Sequence, residues 1–321
     1  MAAARRARRP RRPPRPRPRR PARGARPRRP GRHHPHPRRP PRRAEPDMTI
    51  PALTRPAASP DPTASPLTLV CLHHAGGNPS AFREWRDALP DGFAVHPVRL
   101  PGRDGPVTTP RRHPDLAALV RELDDQLADE VTGRYAVFGH SMGAMLAFWL
   151  VQRRMARGGP LPELFLAAAY AAPHLAGSLL GVTSEDAVDA LDDVTLAERL
   201  RAAGGLPAEL LARPQWLRLL LGTVREDLRL CAAHRYVAAP RLPMPVHVFG
   251  GRTDPIVSVE QLRGWREHAA GDFGCDILDG GHFLVQEPHA GLLPALRRRL
   301  TRALTTPRTV GAPPAPTVPT K

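Results

Sequence analysis

The sequence predicts an α/β domain, a mostly parallel central sheet flanked by helices with an all-helical insertion late in the chain. Three observations predict it. Short apolar runs of strand length alternate with longer stretches whose apolar residues recur at helical spacing. Several of those runs end in a glycine-bearing turn, where a strand hands over to a helix. Residues 183–238 then break the alternation with three helical patterns and no strand.

The domain is expected over residues 66–304, a length that suits one large α/β unit. Ahead of it, residues 1–65 read as a disordered Arg- and Pro-rich tail. Residues 1–47 hold 19 Arg against Glu45 and Asp47, a net charge of +17, whereas the whole chain carries +18. The high pI therefore belongs to the tail, and the body is close to neutral. A segment built from Arg, Pro, Ala, Gly and His has nothing to bury as a core. Two readings stand for it: an arm that neutralises phosphates or another anionic surface, or a start codon assigned too early in a GC-rich genome, with Met48 opening the real chain. The second is favoured, and nucleic acid is not an expected partner. No apolar run follows the Arg pairs, so no secretion signal is read. Cys71, Cys231 and Cys275 are too few and too scattered for a disulfide framework or a metal cluster, which suits a reducing cytoplasm. The longest uncharged stretch, residues 164–182, is broken by Pro173, His174, Gly177 and Gly181 and is not expected to span a membrane.

Residues 67–73, LTLVCLH, form a continuous apolar run that fits a strand buried on both faces. It leads into HAGG at 74–77, and Ser80 offers an N-cap for the helix that follows. His73 and His74 lack a third ligand nearby, so no metal is assigned. Residues 93–100 read as the second strand, followed by the turn PGRDGP with Arg103 and Asp104. Leu116, Leu119, Val120, Leu123 and Leu127 mark a helix over 114–130. A third strand at 135–138 runs into an Ala-rich helix from Met142, and a fourth strand is read at 162–170. Within the insertion, caps are expected at Ser184 and at Thr195 with Glu198. The longest insertion helix shows one face through Leu217, Leu220, Leu221, Val224, Leu228 and Leu230. A fifth strand opens at Pro245, and Ser258 with Gln261 forms a capping box beyond it. The stretch 275–285 reads as a sixth strand that ends in a Gly pair and His282, and a last helix over 289–304 ends in the basic run Arg297 to Arg299. Residues 305–321 are read as a disordered tail.

Chemistry concentrates in GHSMG at 139–143. A serine set where a strand turns into a helix, with glycines two positions either side, can hold a strained backbone that exposes its hydroxyl. The Met142 amide then sits at a helix N-terminus, where free N–H groups and the dipole favour an oxyanion. Ser141, Asp254 and His282 each fall on a turn after an expected strand, in the chain order nucleophile, acid, base that marks an α/β-hydrolase. Parallel strands deliver such turns to one sheet edge. His282 would take the serine proton, and Asp254 would fix the imidazole tautomer. Asp279 is set aside as still on its strand, and His140 as pointing from the wrong side of the serine turn.

LVCLHHAGGNPSAFREW, RLPGRD, YAVFGHSMGAMLAFWL, the stretch from REDLRLCAAHRY to PMPVHVFGGRTDPIV, and LDGGHFLV together resemble type II thioesterases, the stand-alone editing enzymes of polyketide and nonribosomal peptide synthesis. The likeness covers residues 67–300. GHSMG alone is shared by many hydrolases, whereas HAGG, PGR and GGHF at these intervals are specific. His73 stands where the family usually has proline, and Gly105 and Pro106 stand where a further charge is common. The resemblance implies hydrolysis of acyl groups held as thioesters on the phosphopantetheine arm of acyl or peptidyl carrier domains. It assigns the oxyanion donors to the backbone amides of Ala75 and Met142, and a lid to residues 183–238. It implies no cofactor and no metal, and the enzyme is expected to act as a monomer in the cytoplasm. A carboxylesterase or a chain-releasing thioesterase would share the same triad. Arg103, Arg111, Arg112, Arg213, Arg218 and Arg225, in the expected entrance loops and lid, are read as a surface for the acidic helix of a carrier domain, diluted by the acids Glu209, Glu226 and Asp227.

Overall fold

The computed structural model describes residues 66–100, 115–206 and 208–305. The expectations for residues 1–65, for the PGRDGP turn with Arg103 and Asp104, for Arg111 and Arg112, and for 306–321 lie outside the described residues.

Six strands form one sheet: β1 (Leu67–Leu72), β2 (Phe93–Pro97), β3 (Tyr135–His140), β4 (Phe165–Ala168), β5 (Val246–Gly251) and β6 (Phe273–Leu278). Their order is β2-β1-β3-β4-β5-β6 and every pairing is parallel. The fold is that of an α/β-hydrolase. β3, β4 and β5 are buried along their whole length, which is why they read as unbroken apolar runs, whereas the edge strands β2 and β6 are only partly buried.

Alternate side chains feed two core layers. Val70, Leu72 and Val137 pack on one face with α2 (Leu116–Glu130) and α3 (Met142–Arg157). Leu69, Cys71 and Phe138 pack on the other, with Trp85 of the short helix α1 (Trp85–Ala88) and with Leu292, Leu296 and Leu300 of α9 (Leu292–Thr305). The insertion comprises α4 (Glu185–Asp189), α5 (Asp193–Ala202), α6 (Ala208–Leu211) and α7 (Pro214–Ala233). It has its own core of Val188, Leu196, Leu200, Leu221, Val224 and Leu228. α8 (Val259–Arg263) begins on the Ser258 and Gln261 capping box that the sequence predicts.

Several expectations are corrected. Asn78, not Ser80, caps the turn Pro79–Phe82, because its carboxamide accepts the Ser80 amide at 2.8 Å. Asp192, not Thr195, caps α5, its carboxylate accepting the Thr195 amide at 2.9 Å. β2 stops at Pro97 rather than Leu100. β4 is shorter than 162–170, since Pro162 has no N–H to donate and Ala169 turns to φ 52°. β6 spans 273–278, so it starts two residues before the expected Cys275 and stops ahead of Asp279 and the Gly280 and Gly281 pair, beyond which Leu284–Gln286 coils into a 3₁₀ turn. Gly291 at φ 76° delays α9 until Leu292. The insertion has four helices rather than three, and Leu230 packs on the main core rather than with its α7 neighbours. No helix among the described residues is long and apolar enough to cross a membrane.

Candidate active site

Ser141 joins β3 to α3 at φ 54° and ψ −119°, a conformation that L-residues rarely hold. Its amide donates to the Ala168 carbonyl at 2.8 Å, so the β3 to β4 ladder continues up to the serine itself. A Cβ added at Gly139 would lie 2.3 Å from the Gly143 carbonyl oxygen, across the reversal. At Gly143 it would lie 2.2 Å from the Leu72 carbonyl oxygen, so this second glycine serves contact with the neighbouring strand. That approach sets the first turn of α3 against the Leu72 to His73 junction, just upstream of Ala75.

The structure brings the three turn residues together. His282 Nε2 lies 3.0 Å from Ser141 Oγ, and His282 Nδ1 lies 2.9 Å from Asp254 Oδ2. Asp254 Oδ1 accepts the Ile256 amide at 2.7 Å and the Val257 amide at 3.1 Å. These two donors orient the carboxylate and leave its second oxygen facing the imidazole. The Asp254 side chain is fully buried, and Ser141 is 2% exposed. An arrangement of hydroxyl, imidazole and buried carboxylate can deprotonate the hydroxyl as it attacks an acyl carbon. Asp279, the rival acid, lies just beyond β6 rather than on it. It is exposed and pairs with Arg252 at 2.9 Å.

Ala75 belongs to the turn that Gly77 closes by donating to the His74 carbonyl at 3.0 Å. The Met142 amide heads α3, where no carbonyl of the same helix can accept it. Both are the backbone amides that the sequence resemblance assigns to an oxyanion.

Sequence reasoning missed two neighbours of the site. His140, set aside as a member of the relay, supports it instead: it is fully buried, and its Nε2 lies 2.8 Å from the His282 carbonyl oxygen, so Nε2 carries the proton and donates. Burial, then repulsion by His282, depresses its pKa to about 3. His74 beside it, ring centroids 5.1 Å apart, is likewise held well below the usual range by burial. The imidazole that carries charge during a reaction at His282 thus has neutral neighbours. Asp227 reads in the sequence as a surface acid, yet it is 4% exposed and accepts the Gly76 amide at 2.7 Å. Its place three residues after Val224, on the apolar stripe of α7, is the signal that could have found it. Arg225, expected among exposed entrance arginines, instead donates to the Val188 and Leu191 carbonyls and to Asp193. Arg213 and Arg218 are exposed.

A family model of the thioesterase domain matches residues 67–302. The chain belongs to the thioesterase domain family. The activity class of this thioesterase is therefore thioester hydrolysis. It is 32% identical over 257 residues to linear gramicidin dehydrogenase LgrE of Brevibacillus parabrevis, an alignment covering 79% of this chain and 95% of that protein. Among solved structures it is similar to the RedJ thioesterase of the prodiginine pathway in Streptomyces coelicolor, at 35% identity and TM-score 0.66, covering 78% of this chain and 96% of RedJ. It is also similar to BorB, a type II thioesterase of the borrelidin cluster, at 34% identity and TM-score 0.63, covering 74% and 94%.

The buried neutral histidines carry a prediction for this thioesterase. Besides His140, burial holds His247 and His268 at about 4. Their folded pKa values lie below the unfolded value near 6.5. The stability they contribute is therefore complete above about pH 6.5 and is lost as pH falls towards about 4. Denaturation midpoints measured between pH 7 and 4.5 should fall steadily, with protons taken up by the buried histidines on unfolding. A flat profile would contradict the neutral assignment.

Proposed function

We propose that this thioesterase hydrolyses acyl groups from the phosphopantetheine arm of acyl or peptidyl carrier proteins, removing aberrant units in polyketide or nonribosomal peptide synthesis. The observation that carries the reading is the Ser141, His282 and Asp254 relay, buried beside a separate helical insertion. Ser141 Oγ attacks the thioester carbon as its proton passes to His282 Nε2. The Ala75 and Met142 amides hold the oxyanion. Collapse expels the thiol, which takes the proton from His282 and leaves an acyl-serine. Water then gives a proton to His282, attacks the ester, and releases the acid as Ser141 recovers its hydrogen. A thiol has a pKa near 8.5, so its departure leans less on protonation than an alcohol's does.

We read the insertion, with its neighbouring loops over about 183–238, as a lid. It bears on both turns of the site, since a Cβ added at Gly205 would lie 2.1 Å from the Phe283 ring and one at Gly76 2.3 Å from Val224. With Ser141 and His282 almost fully buried, substrate access requires this cover to lift. The body acts as a monomer without cofactor or metal. Unpaired Cys71, Cys231 and Cys275 suit the cytoplasm. Its near-neutral charge gives no footprint for nucleic acid. DNA binding that is lost when the chain starts at Met48 would instead support a working basic arm.

Kinetics with one short acyl group on a carrier protein, on coenzyme A and on a simple alcohol test the reading. The expected order of kcat/KM is carrier, coenzyme A, alcohol ester, with a carrier advantage that shrinks as salt rises, since carrier domains present an acidic helix to Arg213 and Arg218. A preference for alcohol esters would identify a carboxylesterase. A sharp preference for one long chain would identify a chain-releasing enzyme.

A further inference from the structure

The insertion carries a buried acid that the hydrolytic relay does not use. Asp227 lies on α7 between Val224 and Leu228, both core residues of the insertion, and its Oδ2 accepts the Gly76 amide at 2.7 Å across 151 positions of sequence. A carboxylate withdrawn from water is costly unless hydrogen bonds compensate it, so its retention against this turn calls for a use. Gly76 stands at φ 75°, and a Cβ there would lie 2.3 Å from Val224 Cγ2 and 3.4 Å from Leu220 Cδ1. The turn therefore rests directly on the helix, at a position only glycine fills without strain. Ala75 is caught between two fixed points, the bond from Gly77 to the His74 carbonyl and the bond from Gly76 to Asp227. The charge itself does not help an oxyanion nearby, because like charges repel. The value of Asp227 is in its geometry.

We propose that Asp227 is a positioning residue that aims the Ala75 amide at the reacting carbonyl oxygen by holding the Gly76 amide while α7 is seated. The proposal rests on the reading of Ala75 as an oxyanion donor. Lifting α7 would release the turn, so the donor is complete only with the insertion in place.

The test compares Asp227→Ala, Asp227→Asn and Asp227→Glu in the full chain. Two rates are measured: turnover of an acyl carrier thioester, and covalent labelling of Ser141 by a fluorophosphonate, whose phosphoryl oxygen occupies the oxyanion position. Both are normalised to the fraction of Ser141 that can be labelled to completion, which removes losses from partial unfolding. Asp227→Ala is expected to lower kcat and labelling rate together by about 10- to 100-fold, with KM within about 3-fold, because the lost donor acts in the transition state. Asp227→Asn keeps an acceptor of the same shape and is expected to stay within about 5-fold of wild type. Asp227→Glu displaces the acceptor by one methylene and is expected to fall towards Asp227→Ala, which keeps the comparison decisive where Asp227→Ala does not fold. Unchanged rates in Asp227→Ala, or in Asp227→Glu where only that variant folds, would overturn the proposal. So would an Asp227→Asn rate as low as the others, since charge and not the hydrogen bond would then be acting. A wild-type chain that is labelled at Ser141 yet cleaves no acyl thioester would sink the editing function, while the labelling rates would still decide the role of Asp227.

Discussion

Ser141→Ala should lower thioester turnover by roughly 10⁵- to 10⁶-fold while leaving a folded protein. The change deletes one oxygen, together with its 3.0 Å contact to His282 Nε2, and leaves the two backbone amides beside it untouched. Stability should move by no more than about 1 kcal/mol, the worth of one hydrogen bond. The strain at φ 54° and ψ −119° survives the change, because alanine keeps the Cβ that makes the conformation costly. Ser141→Gly removes that Cβ and should be equally inactive yet more stable than Ser141→Ala by about 1 kcal/mol. Denaturation midpoints of the two inactive variants would therefore measure what the serine turn costs the fold. An Ser141→Ala protein that retains more than a hundredth of wild-type turnover would remove Ser141 from the nucleophile role.

The strand framework was legible because a parallel sheet buries both faces, so β1, β3, β4 and β5 appear as apolar runs, and all of these but β4 are closed by glycine turns. The serine turn was legible because both glycines flank Ser141 closely in sequence, although only Gly139 is required within the turn itself and Gly143 is required by the Leu72 carbonyl of the neighbouring strand. Boundaries were less legible where two residues could do one job. Asn78 and Ser80, or Asp192 and Thr195, are all able to cap, and only the folded backbone decides which oxygen reaches an amide. The supports of the site were beyond local reading altogether. His140 meets the His282 carbonyl 142 positions away, and Asp227 meets the Gly76 amide 151 positions away. Partners so remote leave no spacing in the sequence, and what shows is a polar residue on an otherwise apolar stripe.

Asp254→Asn should lower kcat by about 10⁴-fold, and the hydrogen bonds around the side chain say why. Oδ1 accepts from the Ile256 and Val257 amides, so an asparagine must keep its carbonyl oxygen on that side. Its NH₂ group then faces His282 Nδ1, 2.9 Å from the oxygen it replaces. A donor meeting Nδ1 forces the ring proton onto Nε2, and Nε2 is the atom that has to accept the proton of Ser141. The imidazole would stay in place with its tautomer reversed, and the imidazolium would lose its buried counter-charge. Asp279→Asn provides the control. Asp279 is exposed and its ion pair with Arg252 lies in solvent, so this variant should keep turnover within about 2-fold of wild type. Turnover by both variants, with His282 followed by NMR to report the ring tautomer, checks the pair. Loss in Asp279→Asn beside a near-silent Asp254→Asn would transfer the orienting role to Asp279. Loss in Asp254→Asn with the Nδ1 proton retained would mean that the missing charge, rather than the reversed tautomer, limits the reaction.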